Sequence, residues 1–231
     1  MSGGNIFELR QYTLKPGRRD DLIGLFEREF VESQEVLGMG LPGTFRDADR
    51  PDRFVWLRGF PDMESRARSL AAFYGGEVWK ANRNAANETM IDSDNVLLLK
   101  PAWGGARFPE GGTRAALGAS GSARGLVVGT IYNFEQHVPP EFIGEFRKAI
   151  PSLYAAPGTK PVAALVTENS PNNFPALPVR EGEHVFIWFV LFADSAAQAH
   201  PQSLPDELSR FMHRPIEVLK LIPTARSLLH A

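Results

Sequence analysis

The chain carries the same pattern twice, and this duplication limits its fold more than any other feature. Leu22-Ile23-Gly24-Leu25-Phe26 returns as Phe142-Ile143-Gly144-Glu145-Phe146, 120 positions on, and Tyr12 returns as Tyr132 at the same offset. Trp56-Leu57-Arg58-Gly59-Phe60 returns as Trp188-Phe189-Val190-Leu191-Phe192 at an offset of 132. Val96-Leu97-Leu98-Leu99-Lys100-Pro101 returns as Val218-Leu219-Lys220-Leu221-Ile222-Pro223 at 122. The offset widens at a Pro-rich loop, residues 169–182, and narrows where the second half has a shorter helical segment. A tandem repeat is the simplest account.

Each half reads as β-α-β-β-α-β. In the first, residues 6–14 form a strand that ends at Pro16-Gly17. A helix follows over 18–36, with Leu22, Leu25, Phe26 and Phe30 at helical spacing. Strands are expected over 44–47 and 53–60. A second helix spans 63–74, with Asp62 as N-cap. It breaks at Gly75-Gly76 and resumes through Trp79 toward residue 87, before a strand over 95–99. The second half gives strands over 125–134, 161–168, 184–192 and 218–222. Its first helix starts at Pro139-Pro140-Glu141, and a capping box at Ser203-Leu204-Pro205-Asp206 opens its second. The expected class is α+β: two ferredoxin-like repeats. Helices cover one face of each sheet, so the two bare faces are expected to pack sheet to sheet within the chain. The halves are residues 1–103 and 125–231. The Gly-rich segment 104–124 between them lacks periodicity and is expected to be a loosely ordered linker.

Composition removes several function classes. The 43% apolar and 23% charged fractions are those of a soluble globular protein. A net charge of −2 with no basic stripe argues against nucleic acid and against an anionic membrane surface. The absence of cysteine excludes disulfides and thiolate metal sites and fits a reducing compartment. Residues 1–5 lack a signal-peptide pattern, and the longest apolar run, 185–193, is too short to span a bilayer. These features point to the cytoplasm. The repeat implies an intrachain pseudo-dimer and leaves further homo-oligomerisation open.

The first strand holds the candidate site. Glu8, Arg10 and Tyr12 alternate with Phe7 and Leu9, so the two sets face opposite ways. The apolar pair is expected to face a covering helix and the polar row to line a pocket. Trp56, Arg58, Tyr132 and Trp188 would share that face, and Arg46 would join them if strand two turns it inward. His184 shares the parity of Trp188 and either reaches the pocket mouth or ends its strand at the surface. Several arginines on the single carboxylate of Glu8 would leave surplus positive charge for a carboxylate, phosphate or enolate. Arg10 or Arg58 would stabilise an oxyanion, Tyr12 or Glu8 would relay a proton, and the aromatic residues would form walls. A buried Glu8–Arg10 pair is as readily structural.

Other constellations are silent. No Ser-His-Asp order or nucleophile elbow is present. The five histidines lack zinc spacing, nothing specific calls for haem at His184 or His213, and no cofactor or metal is expected. Gly104-Gly105 and Gly111-Gly112 lack a phosphate-loop context. Arg66 and Arg68 are expected on a solvated helix face, and Trp79 in a core.

Glu8-Leu9-Arg10-Gln11-Tyr12-Thr13-Leu14-Lys15-Pro16-Gly17 resembles the N-terminal signature of the NIPSNAP family. Val55-Trp56 in the third strand, Arg66 and Arg68 in a helix and Trp79 in the next fit the same resemblance over about residues 5–101. In the second half Val128-Gly129-Thr130-Ile131-Tyr132 stands where the motif would be, and Gly76-Glu77-Val78 stands where relatives often carry Asp-Pro. The resemblance implies a dimeric α/β barrel, here closed within one chain. It implies no settled activity; the wider superfamily holds cofactor-free monooxygenases, haem enzymes, isomerases and binding proteins. Two functions follow: cofactor-independent monooxygenase- or isomerase-like chemistry on a small acidic or aromatic molecule, or a non-enzymatic binding or interaction module.

Overall fold

A computed structural model describes residues 5–153, 157–193, 208 and 210–231. In the first half, β1 (Ile6–Leu14) leads to α1 (Arg19–Leu25), a π-helical turn (Phe26–Phe30) and α2 (Val31–Glu35). Then come β2 (Gly40–Asp47), β3 (Arg53–Phe60), α3 (Met63–Gly75), α4 (Glu77–Asn87), the short β4 (Met90–Asp92) and β5 (Val96–Pro101). The second half gives β6 (Leu126–Asn133), α5 (Pro140–Leu153), β7 (Thr159–Thr167), β8 (Val185–Phe192) and β9 (Glu217–Pro223). The Asp62 carboxylate accepts from the Ser65 N–H at 2.7 Å and caps α3 as its spacing predicts. The capping box expected at residues 203–206 lies outside the described residues.

The strands run β3-β2-β9-β6-β8-β7-β5-β1, and β1 pairs back with β3 to close an eight-stranded antiparallel barrel. The short β4 adds to β1 outside the ring. Each half supplies one ferredoxin-like sheet. The halves meet along edges as well as faces, through β2 with β9 and β5 with β7, so eight strands form a ring without free edges. The register repeats with the sequence: Arg10 lies opposite Trp56, and Thr130 opposite Trp188.

The barrel interior is apolar. Phe7 and Leu9 of β1 point into it, with Phe45, Val55, Leu57, Leu97 and Leu99 from the first half and Val127, Ile131, Leu165, Ile187, Phe189 and Leu219 from the second. This reverses the expected facing of β1: Phe7 and Leu9 line the barrel, while Glu8, Arg10 and Tyr12 lie beneath the helices. Period-two alternation separates the two sets but does not say which layer covers which. The interior took the set that needs no hydrogen-bond partners, because a polar group buried without one costs free energy.

The connection between the halves is not a loose tether. Phe108 enters the barrel, with its ring 5.4 Å from that of Phe7 and 5.0 Å from that of Phe189. Glycines make room for the same rings: a methyl on Gly129 would lie 2.9 Å from Phe189, and one on Gly59 3.0 Å from Phe7. Arg114 pairs with Glu35 and donates to the carbonyls of Leu41 and Arg226, tying the connection to α2 and the C-terminal tail. Phe108→Ala should lower unfolding free energy by about 3–5 kcal/mol, the usual cost of removing a buried phenylalanine ring. Urea denaturation checks this; a loss under about 1 kcal/mol would show that the ring does not support the core.

Candidate functional site

The polar row of β1 is assembled between the sheet and α1–α4. Glu8 lies opposite Arg58, and Arg10 opposite Trp56, in the β1–β3 ladder, so cross-strand pairing alone joins a carboxylate, two guanidiniums and an indole. Helix α3 adds Arg66, which shares a stripe with Ser69, Leu70 and Phe73 toward the sheet. Glu8, Arg10, Arg58 and Arg66 are all buried. Oε2 of Glu8 accepts from Arg10 Nη1 at 2.9 Å and from Arg58 Nε at 3.0 Å and Nη2 at 2.6 Å. Oε1 lies 2.8 Å from both Nε and Nη2 of Arg66. Burial alone would push the Glu8 carboxyl up. The attraction of Arg58, then Arg10 and Arg66, overrides it and holds the group well below the usual carboxylate range.

Three guanidiniums on one carboxylate leave two positive charges in a buried layer. Aromatic faces take up part of that charge. The Arg58 guanidinium carbon lies 5.0 Å from the Trp56 ring centre, and that of Arg10 lies 5.4 Å from Tyr12 and 5.5 Å from Trp56. The arginines also organise neighbours. Arg10 Nε donates to Tyr12 Oη at 3.0 Å, and Arg58 Nη1 donates to Gln34 Oε1 at 3.0 Å. Burial raises the Tyr12 phenol above its ordinary value, against the opposing pull of Arg10, so Tyr12 keeps its proton. With its oxygen accepting from Arg10, that proton is available to another acceptor.

Beside this cluster runs a narrow crevice lined by Tyr12, Trp56, Gln34, Tyr74, Trp79 and apolar residues including Phe26, Phe30 and Phe73. Its water-accessible volume is about 30 Å³, room for a water molecule or so. The π-helical turn contributes Phe26 and Phe30; such widened turns recur at functional sites. The Trp56 indole Nε1 is buried without a hydrogen-bond partner. A buried donor left open calls for an explanation, and here its residue lines a cavity.

The second half reaches over to this site. Asn172 and Asn173, from the long loop before β8, accept from Arg66 Nη1 at 3.0 and 2.7 Å, and Asn173 Nδ2 donates to the carbonyl of Met63. Phe174 stacks on Tyr74 at 5.9 Å.

The structure brings Glu8, Arg10, Tyr12, Trp56 and Arg58 together and leaves four expected partners elsewhere. Arg46 pairs with Asp20 at 2.8 Å and donates to the Gly121 carbonyl at 2.9 Å, because Phe45, not its neighbours, faces the barrel. Tyr132 and Trp188 pack beneath α5 against Phe146, on the second half's own helix side. Val128, Thr130 and Val190 stand there where Glu8, Arg10 and Arg58 stand in the first half, so among the described residues that layer shows no matching charged cluster. Half-buried His184 lies with its ring 4.8 Å from that of His137 and lines a separate groove of about 400 Å³ beneath residues 168–184. Arg66 is buried on Glu8 rather than solvated, whereas Arg68 is exposed and pairs with Glu64. Sequence reading missed Arg66, Gln34 and the Asn172–Asn173 contacts. The spacing of Arg66, Leu70 and Phe73 is the signal that places Arg66 on a buried stripe. Among the described residues no cluster of three His, Asp or Glu could hold a metal ion, and no helix is long and apolar enough to cross a membrane.

Residues 7–103 match the model of the NIPSNAP family. The first half of the chain is thus NIPSNAP-like. A comparison with curated proteins found no match. Among solved structures, a candidate monooxygenase from Lactobacillus acidophilus NCFM is 16% identical, covers 97% of each chain and has a TM-score of 0.56. An anthrone oxidase-like protein is 14% identical, covers 99% of this chain and 96% of its own, and has a TM-score of 0.55. Both share the fold of this chain over its whole length. A NIPSNAP-like domain protein from Burkholderia xenovorans is 27% identical, covers 45% of this chain and 90% of its own, and has a TM-score of 0.41.

The NIPSNAP-like half should depend on Glu8 for stability. Glu8→Gln should cost roughly 3–5 kcal/mol, because it leaves buried guanidiniums without their counter-charge. Because the folded pKa is depressed, the wild type has this stabilisation in full above the unfolded carboxyl value and loses it as the pH falls toward the folded one. Urea denaturation from about pH 6 to about pH 2 should therefore show a steeper acid loss for wild type than for Glu8→Gln. Parallel profiles would contradict this account of the cluster.

Proposed function

We propose that the NIPSNAP-like half binds a small planar aromatic molecule carrying a ketone, phenol or enol oxygen, in the crevice between β1, β3 and the helices. The observation that carries this is the buried, open Nε1–H of Trp56, a residue that lines an aromatic crevice. Tyr12 supplies a second donor, and the surplus charge of Arg10 and Arg58 stands behind both. Two donors backed by positive charge favour an oxygen that becomes more negative, which is how an oxyanion or enolate is stabilised. Polarising that oxygen is a step shared by monooxygenase-like oxidation and isomerisation of enolisable aromatics, and the residues involved need no cofactor for it. The names of two fold neighbours, a candidate monooxygenase and an anthrone oxidase-like protein, agree with this ligand class. Glu8 serves here as the ionised anchor of three arginines, not as a proton relay, since both of its oxygens are occupied.

A second proposal, binding without turnover, is favoured by one observation: among the described residues no carboxylate or imidazole lines the crevice. Under it, a substrate arriving as a neutral phenol would meet no strong base.

1-Naphthol is a suitable probe. Calorimetry should show one site, with Tyr12→Phe and Trp56→Phe each weakening binding by about tenfold, the worth of one hydrogen bond of about 1.4 kcal/mol. Naphthalene, lacking the oxygen, should bind both variants and wild type alike. Undiminished 1-naphthol affinity in Trp56→Phe would contradict the proposal. Oxygen uptake with an enolisable aromatic ketone separates the two readings; uptake lost in Tyr12→Phe supports catalysis, and its absence in wild type supports simple binding.

A further inference from the structure

We propose that α4 is a lid on this crevice, latched by Trp79 and yielding at Gly75–Gly76, and that the ligand enters by displacing the Trp79 ring. The inference rests on the ligand site proposed above. At about 30 Å³ the crevice admits water but not an aromatic ring, so one wall must move.

Most walls are fixed. Tyr12 and Trp56 belong to strands of a closed barrel. Helix α3 is pinned through Arg66 to Glu8 and to Asn172 and Asn173, and Tyr74 at its end is held under Phe174. Helix α4 differs: of its eleven residues only Ala86 is buried, so little apolar contact opposes its local opening.

Its ends are also unequal. At the C-terminal end the carbonyl of Thr89 accepts from the Lys15 N–H at 2.8 Å, and Thr89 Oγ1 donates to the Ala86 carbonyl at 2.7 Å. At the other end the helical path breaks at Gly76, where φ is −82° and ψ is 166°, and no side chain caps the new start. Held at Thr89 and uncapped at Gly76, α4 therefore opens first by fraying at its N-terminal turn, next to the Gly75–Gly76 joint. Trp79 lies one turn inside that end. Its half-buried ring sits 4.8 Å from Tyr74, 5.6 Å from Phe30 and 5.9 Å from Phe73. These are the rings a planar ligand would touch, so Trp79 holds the ligand's place while the lid is shut. Lifting it opens a slot, sized for an aromatic ring, that leads to Tyr12 and Trp56.

The glycine pair supplies opposed variants. A methyl on Gly76 would lie 2.9 Å from the Ala72 carbonyl oxygen and 3.2 Å from that of Phe73, so Gly76→Ala pushes the lid away. A methyl on Gly75 meets nothing within 4 Å, so Gly75→Ala stiffens the joint without a clash.

Stopped-flow tryptophan quenching by 1-naphthol reads the association rate. It should rise at least tenfold (order of magnitude) in Trp79→Ala and Gly76→Ala and fall about threefold in Gly75→Ala. Unchanged rates with retained binding would overturn the lid and leave the site standing. No binding by wild type would strike the site itself, and the lid is then judged by hydrogen exchange in the free protein. There the α4 amides should exchange at least about tenfold faster than those of α3; equal protection would overturn the lid.

Discussion

A single buried carboxylate holds this molecule's first half in register. The two oxygens of Glu8 gather Arg10 from its own strand, Arg58 from the neighbouring strand and Arg66 from the helix above. Arg66 passes the connection to Asn172 and Asn173, which belong to the other half of the chain. Removing Glu8 leaves three buried guanidiniums without their counter-charge, so the cluster favours one arrangement of strand, helix and loop over alternatives. The charge imbalance is as consequential as the pairing. One negative group cannot satisfy three guanidiniums, and the surplus spreads over Tyr12, Trp56 and neighbouring rings. A scaffold needing only stability would more readily be uncharged, as the second half is at Val128, Thr130 and Val190.

The two halves share an architecture and divide its tasks. Both contribute four strands to the barrel and apolar side chains to its interior. The charged layer exists under the helices of the NIPSNAP-like half, while the second half contributes a loop that clasps α3 and an aromatic ring that backs Tyr74. Closing the barrel within one chain fixes these contacts in a defined copy, so one half is free to lose the polar row without exposing an edge. The connection between the halves adds Phe108 to the core and makes the crossing part of the barrel.

Much of this was legible in the sequence, for reasons that can be named. The repeat offsets placed Trp56 and Trp188 in matching strands, and the ladders set Arg10 and Thr130 opposite them. The Gly75–Gly76 break between α3 and α4 followed from local chemistry. The facing of β1 did not, because in a barrel covered by helices both faces of a strand are buried and alternation alone has no outside to refer to. Arg66 was assigned to solvent because arginine usually is, although its spacing with Leu70 and Phe73 argued otherwise. The π-helical turn at Phe26–Phe30 and the reach of Asn172 and Asn173 are tertiary outcomes with no local signature.

The central claim is that the crevice beneath α4, rather than the barrel mouth or the second half, receives the ligand. The chain has four tryptophans: Trp56 and Trp79 line this crevice, and Trp103 packs against Trp188 in the cluster beside α5. A nitrogen–proton correlation spectrum of the indole groups, recorded during titration with 1-naphthol, therefore reports the site directly. The account predicts that the Trp56 and Trp79 signals shift together and saturate at one equivalent, while those of Trp103 and Trp188 stay fixed. Shifts confined to Trp103 and Trp188, or saturable binding that moves none of the four, would contradict it.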